Sequence, residues 1–510
     1  MWLKLTNIID NLIDGINMYR LLMYYLIGLI IAAIFLSAAH DMNYSPIDIA
    51  LTAVILVAAC WGINKVLARI FDAPVNPDSP IITGLILTLI IPPTFSRYGF
   101  LFMLAAAGLA MGSKYLLTIK QKHIFNPAAI AVVLTAWGPR QSASWWIGTA
   151  VLLPFVVIGG IFIVRKLRHE SMVVAFLLAT TISTAVFSIA SHVNVFTSLS
   201  NMILTSAAFF LGFVMLTEPY TSPPTRGKQI TYAVIVGVLL APQFHIGHYY
   251  TTPEVSLVIG NIFAYLVSSK AKLTPILVRK AKIAANTIEF AFNPGQKLAF
   301  QPGQYMEWTI PHTNTDSRGT RRFFTLASSP TEDELLLGVR FYDKGSSYKS
   351  AMLDIDRHSQ IAAAQVAGDF TMPSDKKQKL AFIAGGIGVT PYRSMIKYML
   401  DSKESRDVKM IYGGRSEDDF AYLDVFEQAR KRFGIDTTYV VSGRSSDASR
   451  PNMVRGTISE HLIKSVIPDY SKRLFYISGP HSMVVSVEEA LLSLGVAKHN
   501  IKTDFFSGYA

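Results

Sequence analysis

Residues 382–391 read Phe-Ile-Ala-Gly-Gly-Ile-Gly-Val-Thr-Pro, and this stretch decides how the C-terminal half of the chain folds. Its apolar start predicts a buried strand, its glycines a tight turn, and its Thr-Pro end the first turn of a helix. Glycines let the backbone approach a pyrophosphate closely, and the helix N-terminus stabilises negative charge there. We therefore predict a dinucleotide-binding turn formed by Gly385, Gly386, Gly388 and Thr390.

Around this turn, apolar runs alternate with helical patterns from residue 379 onward, which predicts a parallel-sheet, Rossmann-like α/β nucleotide-binding domain. A later strand ends in Ser478-Gly479-Pro480-His481-Ser482-Met483, a stretch that can face a nicotinamide. We assign Gly479 and Met483 to dinucleotide binding and place Ser478 beside the reacting atoms. Phe506, in the aromatic C-terminus, either returns to the active site, as we expect, or packs on the sheet edge.

Upstream of this domain, short alternating strands separated by proline–glycine turns predict a small antiparallel β-barrel. One strand contains Arg322-Phe323-Phe324-Thr325. Side chains alternate along a strand, so Arg322 and Phe324 point the same way and offer a cation for a phosphate and a flat ring for an isoalloxazine. Thr325 adds a hydroxyl. The alternative is an ordinary amphipathic strand with a surface arginine.

Two further stretches belong to the same predicted site. Ser346 and Ser347 follow a strand and open a helix, where hydroxyls and backbone donors suit a phosphate; a simple capped turn is the alternative. Thr371, in Gly368-Asp369-Phe370-Thr371, precedes the change of domain and is expected to touch the flavin.

The order of these motifs closely resembles the ferredoxin–NADP reductase family over the whole C-terminal half. The resemblance implies FAD on the Arg322–Thr325 strand and on Ser346 and Ser347, and a pyridine dinucleotide on the glycine turn, Gly479 and Met483. Phe324 stands where the family usually has tyrosine, and Ser478 where many members have cysteine. Arg415 and Arg444 can clamp a 2′-phosphate or lie on the surface, so NADPH stays open as the donor. We expect NADH.

The N-terminal half has a different composition. Hydrophobic residues make up 51% of the chain and charged residues 16%, against about 25% charged in an average protein, and the long apolar runs lie between residues 21 and 268. We predict a polytopic α-helical membrane domain of about ten hydrophobic segments, each span needing about 17–25 residues. The proline-bounded segments 80–93 and 125–137 are shorter, which is typical of broken helices.

The net charge and the cysteine count exclude several classes of function. The net charge of +12 lies largely at helix ends and in short loops, which indicates positive-inside orientation rather than nucleic-acid binding. We therefore expect a multi-pass protein of the cell membrane with a cytoplasmic C-terminal half. The single cysteine excludes an intrachain disulfide and a thiolate-held metal cluster, and we predict no metal site. Glu218, at the end of an apolar helix, is expected in the headgroup layer rather than on an ion.

Within this half, residues 80–93, Asn126-Pro127-Ala128-Ala129 and residues 209–225 resemble the NqrB/RnfD family, the membrane flavin subunits of sodium-pumping and Rnf electron-transfer complexes. The resemblance implies FMN or riboflavin in the membrane. The family's Ser-Gly-Ala-Thr attachment motif is absent, which favours a non-covalent flavin near Asn126, Thr217 and Thr221. Helix capping and turn formation are the alternative roles for these three residues.

Taken together, the sequence predicts a membrane domain (1–270), an FAD-binding barrel (271–376) and an NAD(P)H-binding domain (377–510). The expected function is electron transfer from cytoplasmic NAD(P)H through FAD and a membrane flavin to an acceptor in or across the bilayer: a quinone, an extracytoplasmic flavoprotein or a metal. An ion or solute transporter with a redox-sensing flavin domain is the alternative, and it would hold one flavin only.

Overall fold

The structure is a computed structural model that describes residues 16–71, 78–119, 122–138, 141–205, 207–242, 244–247, 249–268, 273–316, 318–343, 345–443 and 452–506. The chain divides between residues 271 and 272 into two compact units. Each unit is described separately below.

The N-terminal unit is built from helices. Their bounds are α1 (Met18–Ala38), α2 (Pro46–Ile70), α3 (Asp78–Ile90), α4 (Arg97–Leu116), α5 (Pro127–Trp137), α6 (Leu153–Leu167), α7 (Glu170–Ala190), α8 (Val195–Leu204), α9 (Ala208–Phe210, continued by a π-turn over Leu211–Met215), α10 (Arg226–Leu239) and α11 (Pro253–Val267). Two short hairpins connect helices, β1 (Thr118–Ile119) with β2 (Lys122–His123) and β3 (His245–Ile246) with β4 (Tyr249–Tyr250).

Within the described ranges, four helices are long and apolar enough to cross a membrane, namely α1, α2, α4 and α7, and the bent pair α8–α9 makes five. Several of their large apolar side chains are exposed: Phe35 is 72% exposed, Val54 65% and Ile182 61%. Exposed apolar stripes of this size are unusual on a protein surrounded by water.

The other predicted segments differ from membrane-crossing helices for physical reasons. Helices α3 and α5 have 13 and 11 residues, so at about 1.5 Å per residue they fall short of a 30 Å hydrocarbon layer, and most of their side chains are buried inside the unit. The apolar run 145–164 becomes helical only at Leu153, because Trp145 adopts a left-handed φ of 48° and Pro154 marks the first turn of α6.

The C-terminal unit begins with six strands that form two three-stranded antiparallel sheets, β10–β7–β8 and β5–β6–β9. A single barrel was expected; the strands instead divide between these two sheets. The bounds are β5 (Ile276–Ala284), β6 (Thr287–Asn293), β7 (Tyr305–Thr309), β8 (Arg321–Thr325), β9 (Leu335–Arg340), α12 (Ser347–Asp354) and β10 (Ala362–Ala367).

The rest of the unit is a six-stranded parallel sheet in the order β14–β13–β12–β11–β15–β16, which confirms the predicted α/β nucleotide fold. Its central strand is buried along its whole length; Phe382 packs into the core on one side and Ile383 into the core on the other. The bounds are β11 (Leu380–Gly385), α13 (Thr390–Ser402), β12 (Val408–Gly414), α14 (Leu423–Phe433), β13 (Thr437–Val441), β14 (Met453–Arg455), α15 (Glu460–Val466), β15 (Leu474–Pro480), α16 (His481–Ser493) and β16 (Ile501–Phe506).

Candidate functional site

Strand β8 presents Arg322 and Phe324 on the same side, where both contact Tyr348. The Arg322 guanidinium carbon lies 5.0 Å from the centre of the Tyr348 ring, and the Phe324 and Tyr348 ring centres are 6.0 Å apart. Arg322 Nη1 donates to the carbonyls of Arg318 and Arg321, at 2.6 Å each. The loop before β8 therefore fixes the direction of the guanidinium.

More positive charge surrounds this arginine. Burial, followed by the charges of Arg322, Arg318 and Arg340, lowers the pKa of Lys349 to about 8. A shift of this size shows that the cations repel one another in a partly dehydrated place. Such a cluster fits a phosphate-bearing ligand.

Ser346 and Ser347 lie at the start of α12, as the sequence predicts. The Ser346 hydroxyl caps the helix and accepts from the Lys349 amide at 3.3 Å. The Ser347 hydroxyl lies 3.0 Å from His312 Nε2 and accepts from the Asp316 amide at 3.0 Å. The Ser346 hydroxyl thus makes the local hydrogen bond expected of a capped turn. The Ser347 hydroxyl instead connects α12 to the loop that contains His312 and Asp316.

Two of the predicted site residues, Thr325 and Ser478, have buried hydroxyls with no hydrogen-bond partner among the described residues; five other buried hydroxyls in those residues share this property. Both side chains are almost fully buried, with Thr325 3% exposed and Ser478 0%. An unmade hydrogen bond at a buried hydroxyl costs about 1–3 kcal/mol. Each of these two hydroxyls therefore has a hydrogen bond left to make with a bound ligand.

The glycine turn after β11 lies directly against the end of β15. A Cβ added at Gly388 would lie 2.5 Å from the Ser478 carbonyl oxygen and 2.6 Å from the Gly479 amide nitrogen. A Cβ at Gly385 would overlap the sulfur of Met483. Only glycine fits at residue 388, because the atoms that it meets are backbone, whereas the Met483 side chain can move away from residue 385. The structure brings Gly385, Gly388, Gly479 and Met483 together.

The same turn requires a special backbone at Gly386, whose φ is +53°. Arg340, at the end of β9, places Nη1 3.3 Å from the position a Cβ would take on this glycine. Thr390 begins α13 and donates from Oγ1 to the Ile387 carbonyl at 3.3 Å. The cationic cluster and the glycine turn are therefore neighbours.

Helix α13 also holds the residues that continue strand β8. Arg393 Nη1 donates to the Ala327 carbonyl at 3.1 Å, and Ser394 Oγ donates to the Ser328 carbonyl at 2.6 Å. Sequence reasoning missed this pair, because Arg393 and Ser394 carry no motif of their own. These hydrogen bonds hold the residues that follow β8 against α13, the helix that begins after the glycine turn.

Two of the remaining predicted residues of this unit, Thr371 and Phe506, bond through their backbone to neighbouring elements. The Thr371 carbonyl accepts from Tyr476 Oη at 2.7 Å and from Lys502 Nζ at 3.1 Å. Phe506 is the last described residue, and its backbone pairs with Pro480 at the end of β15. Arg415 is exposed at the end of β12, and Arg444 lies outside the described residues.

In the N-terminal unit, the structure connects Asn126, Thr221 and Glu218. Asn126 Nδ2 donates to Glu218 Oε2 at 2.8 Å, and Thr221 Oγ1 donates to the same oxygen at 3.2 Å. Asn261 extends the group, since its Oδ1 accepts from the Asn126 amide at 2.8 Å. Glu218, which the sequence places in the headgroup layer, is half-buried, and its carboxylate accepts hydrogen bonds from the residue that caps α5 and from the turn after α9.

A cleft opens beside this group. Its lining includes Asn126, Thr217 and Glu218 together with Tyr19 and Lys166. Thr217 donates from Oγ1 to the Phe213 carbonyl at 2.8 Å, so its hydroxyl partly caps the π-turn. Apolar side chains line most of the cleft and a few polar groups lie among them, a mixture that is typical of small-molecule sites.

Comparisons with known proteins support the nucleotide-binding fold of the C-terminal unit. Residues 382–489 match the family model described as oxidoreductase NAD-binding domain. Flavohemoprotein A of Dictyostelium discoideum is 24% identical over 244 residues, covering 45% of this chain and 59% of its own. NADH oxidoreductase HCR of Escherichia coli is 26% identical over 212 residues, covering 41% of this chain and 61% of its own.

Among solved structures, Amycolatopsis cytochrome P450 reductase GcoB is similar at 24% identity and a TM-score of 0.41, covering 46% of this chain and 71% of that one. The chain thus spans about 60% of the length of the two curated relatives above. The C-terminal unit is an NAD(P)H-dependent FAD oxidoreductase module, similar to ferredoxin–NADP reductases.

Proposed function

We propose that the whole chain is a membrane-bound flavoprotein oxidoreductase. It passes electrons from NAD(P)H, with NADH preferred, through FAD in the C-terminal unit to a second flavin in the N-terminal unit. An acceptor in or beyond the bilayer then receives them. Residues 271–376 would form the FAD part and residues 377–510 the nicotinamide part of the module.

The observation that carries the proposal is the pair of hydrogen bonds between helix α13 and the residues that follow strand β8. Because Arg393 and Ser394 hold the carbonyls of Ala327 and Ser328, the two sets of binding residues share one rigid frame. Hydride transfer needs reacting atoms about 3–3.5 Å apart. A frame of this kind keeps two cofactors at a fixed separation without help from a moving loop.

Each residue has a role that follows from its surroundings. Arg322, held by two carbonyls, binds a phosphate, and Phe324 offers an apolar ring to the isoalloxazine. Thr325 and Ser478 donate or accept the hydrogen bonds that they lack in the described structure. Bound FAD supplies the chemistry of taking a hydride from the nicotinamide and releasing its electrons one at a time.

The membrane part of the proposal is supported by the N-terminal unit. Four apolar helices have the length to cross a bilayer, and large apolar side chains are exposed along them. The cleft beside Asn126 and Thr217 would hold FMN or riboflavin without a covalent bond, in agreement with the likeness to the NqrB/RnfD family. Thr221 would act through Glu218, to which it is hydrogen-bonded.

The test is a flavin count on the full chain, extracted from membranes with detergent, acid-precipitated and chromatographed. We expect one FAD and one smaller flavin per chain in the supernatant. Arg322→Ala should lose the FAD and NADH oxidation while keeping the smaller flavin; Asn126→Ala should lose the smaller flavin and keep the FAD. A wild-type chain with FAD alone would contradict the second flavin and favour a transporter with a redox-sensing domain.

A further inference from the structure

Lys349 is a cation in an unusual place, the first turn of α12. The N-terminus of a helix carries a partial positive charge, so acidic groups stabilise a first turn and a lysine there does not. This turn contains no acidic residue, and the amide of Lys349 is already used by the capping Ser346 hydroxyl. The side chain is therefore the part of Lys349 that is available to a ligand.

Lys349 and Arg340 converge on one exposed ring. Lys349 Nζ lies 4.8 Å from the centre of the Tyr342 ring, and the Arg340 guanidinium carbon lies 5.7 Å from it. Arg322 is close by, over the ring of Tyr348, the residue before Lys349. Three cations from β8, β9 and α12 thus surround the start of one helix.

Acidic groups offset only part of this charge. Asp316 pairs with Arg318 at 3.0 Å, and Asp419 pairs with Arg340 at 3.1 Å. Arg340 still has a buried Nε with no hydrogen-bond partner among the residues that the structure describes. A doubly charged anion at the start of α12 would satisfy this donor, oppose the repulsion among the cations and suit the helix N-terminus.

We propose that Lys349 binds the pyrophosphate of FAD together with Arg322 and Arg340, and that this contact makes FAD binding weaken at alkaline pH. The inference rests on the proposed function, because it takes the ligand of this cluster to be FAD. It adds a positioning residue for the flavin that the Arg322–Thr325 strand and the Ser346 cap do not supply.

The pH dependence follows from linkage. Burial and the neighbouring arginines lower the pKa of Lys349 to about 8, and a bound pyrophosphate would raise it again. Below about pH 8 the lysine is charged with or without FAD, so affinity is constant. Above it, binding takes up a proton, and affinity falls by up to about tenfold per pH unit until the pKa of the complex is reached.

Most of the other charged or titratable groups around Lys349 keep the same charge across the pH range in which Lys349 titrates. Arg318, Arg322 and Arg340 stay charged, and Asp316 and Asp419 are ion-paired. Burial raises the pKa of Tyr348 above its ordinary value, so that hydroxyl stays neutral at this pH. Tyr342, whose ring contacts Lys349, is retained in Lys349→Gln and Lys349→Arg, so these variants separate its contribution to the pH profile from that of the lysine.

The experiment is equilibrium dialysis of the full chain in detergent, stripped of flavin, against FAD from pH 7 to pH 10, with bound FAD quantified by chromatography. Wild type should show constant affinity up to about pH 8 and a fall above it. Lys349→Gln should bind FAD about tenfold more weakly at pH 7 and show no such fall. Lys349→Arg should bind as wild type at pH 7 and stay constant.

Lys431→Gln is the matched control, because Lys431 is exposed on α14, where it pairs with Glu427; it should behave as wild type. Wild-type affinity and pH profile in Lys349→Gln, with FAD lost in Arg322→Ala, would overturn the role of Lys349 and leave the proposed function standing. Absence of FAD from the wild type would instead overturn the proposed function. If Lys349→Gln does not fold, the flat profile expected of Lys349→Arg decides the question.

Discussion

Replacing Gly388 by alanine tests the contact between the glycine turn and β15. The new Cβ would lie 2.5 Å from the Ser478 carbonyl oxygen and 2.6 Å from the Gly479 nitrogen, whereas ordinary contacts are 3.4–4 Å. Both obstacles are backbone, so the ends of β11 and β15 must separate by about 1 Å. Overpacking of this kind costs about 1–3 kcal/mol of stability. For a unit of this size, a cost of about 2 kcal/mol lowers the melting temperature by about 4–8 °C.

The assay combines thermal unfolding of the full chain in detergent with KM for NADH, using ferricyanide as electron acceptor. Gly388→Ala should melt earlier and raise KM at least about tenfold, because the displaced strands carry the dinucleotide site. Gly385→Ala is the control: its Cβ meets the sulfur and methyl of Met483, which can rotate away, and Pro480 Cδ at 3.1 Å, which needs to shift by only a few tenths of an ångström. Its loss of stability should therefore be smaller. An unchanged melting temperature and KM in Gly388→Ala, or a larger loss of stability in Gly385→Ala, would refute this reasoning.

Two further predictions concern other parts of the C-terminal unit. Thr325→Val removes a buried hydroxyl that has no partner among the described residues, so the flavin-free chain should melt as wild type while its FAD affinity falls about tenfold; equal FAD affinity by dialysis would show that the flavin does not use this hydroxyl. Asp469→Asn breaks the paired bonds to Arg473, at 2.6 and 3.0 Å, and should cost about 1–3 kcal/mol at pH 7. Hydrogen bonding to Arg473 lowers the pKa of Asp469 below its ordinary 3.8, so its contribution is fully present above about pH 3.8 and is lost as the pH falls through the lower folded pKa. The melting profile of Asp469→Asn should therefore be flatter than wild type below pH 3.8, and a parallel profile would contradict the assignment.

The nucleotide-binding sheet was predictable because its strand β11 is buried on both faces and reads as a continuous apolar run that ends in the glycine turn. Arg322 and Phe324 were predicted to share a face because strand alternation is local, and both contact Tyr348. The contacts of Arg393 and Ser394 with the continuation of β8 could not be predicted, since they depend on how a helix from one sheet packs against a strand from another. Lys349 was missed for the same reason: its neighbours come from β8, β9 and the loop before β8.

The membrane half was harder to interpret from sequence. Hydropathy finds apolar segments, but it does not separate a helix that faces lipid from one buried among other helices, as α3 and α5 are. Glu218 was assigned to the headgroup layer because it ends an apolar helix. Its partner Asn126 lies 92 residues away in the chain, and no local pattern connects the two.

Anaerobic titration of the purified full chain with NADH tests the central claim most directly. A chain with FAD and a second flavin takes up four electrons, so the flavin absorbance should bleach completely at two NADH per chain, and at one NADH per chain in Asn126→Ala. Complete bleaching of the wild type at one NADH per chain, or a second flavin that stays oxidised in excess NADH, would contradict electron flow from the C-terminal unit to the N-terminal unit.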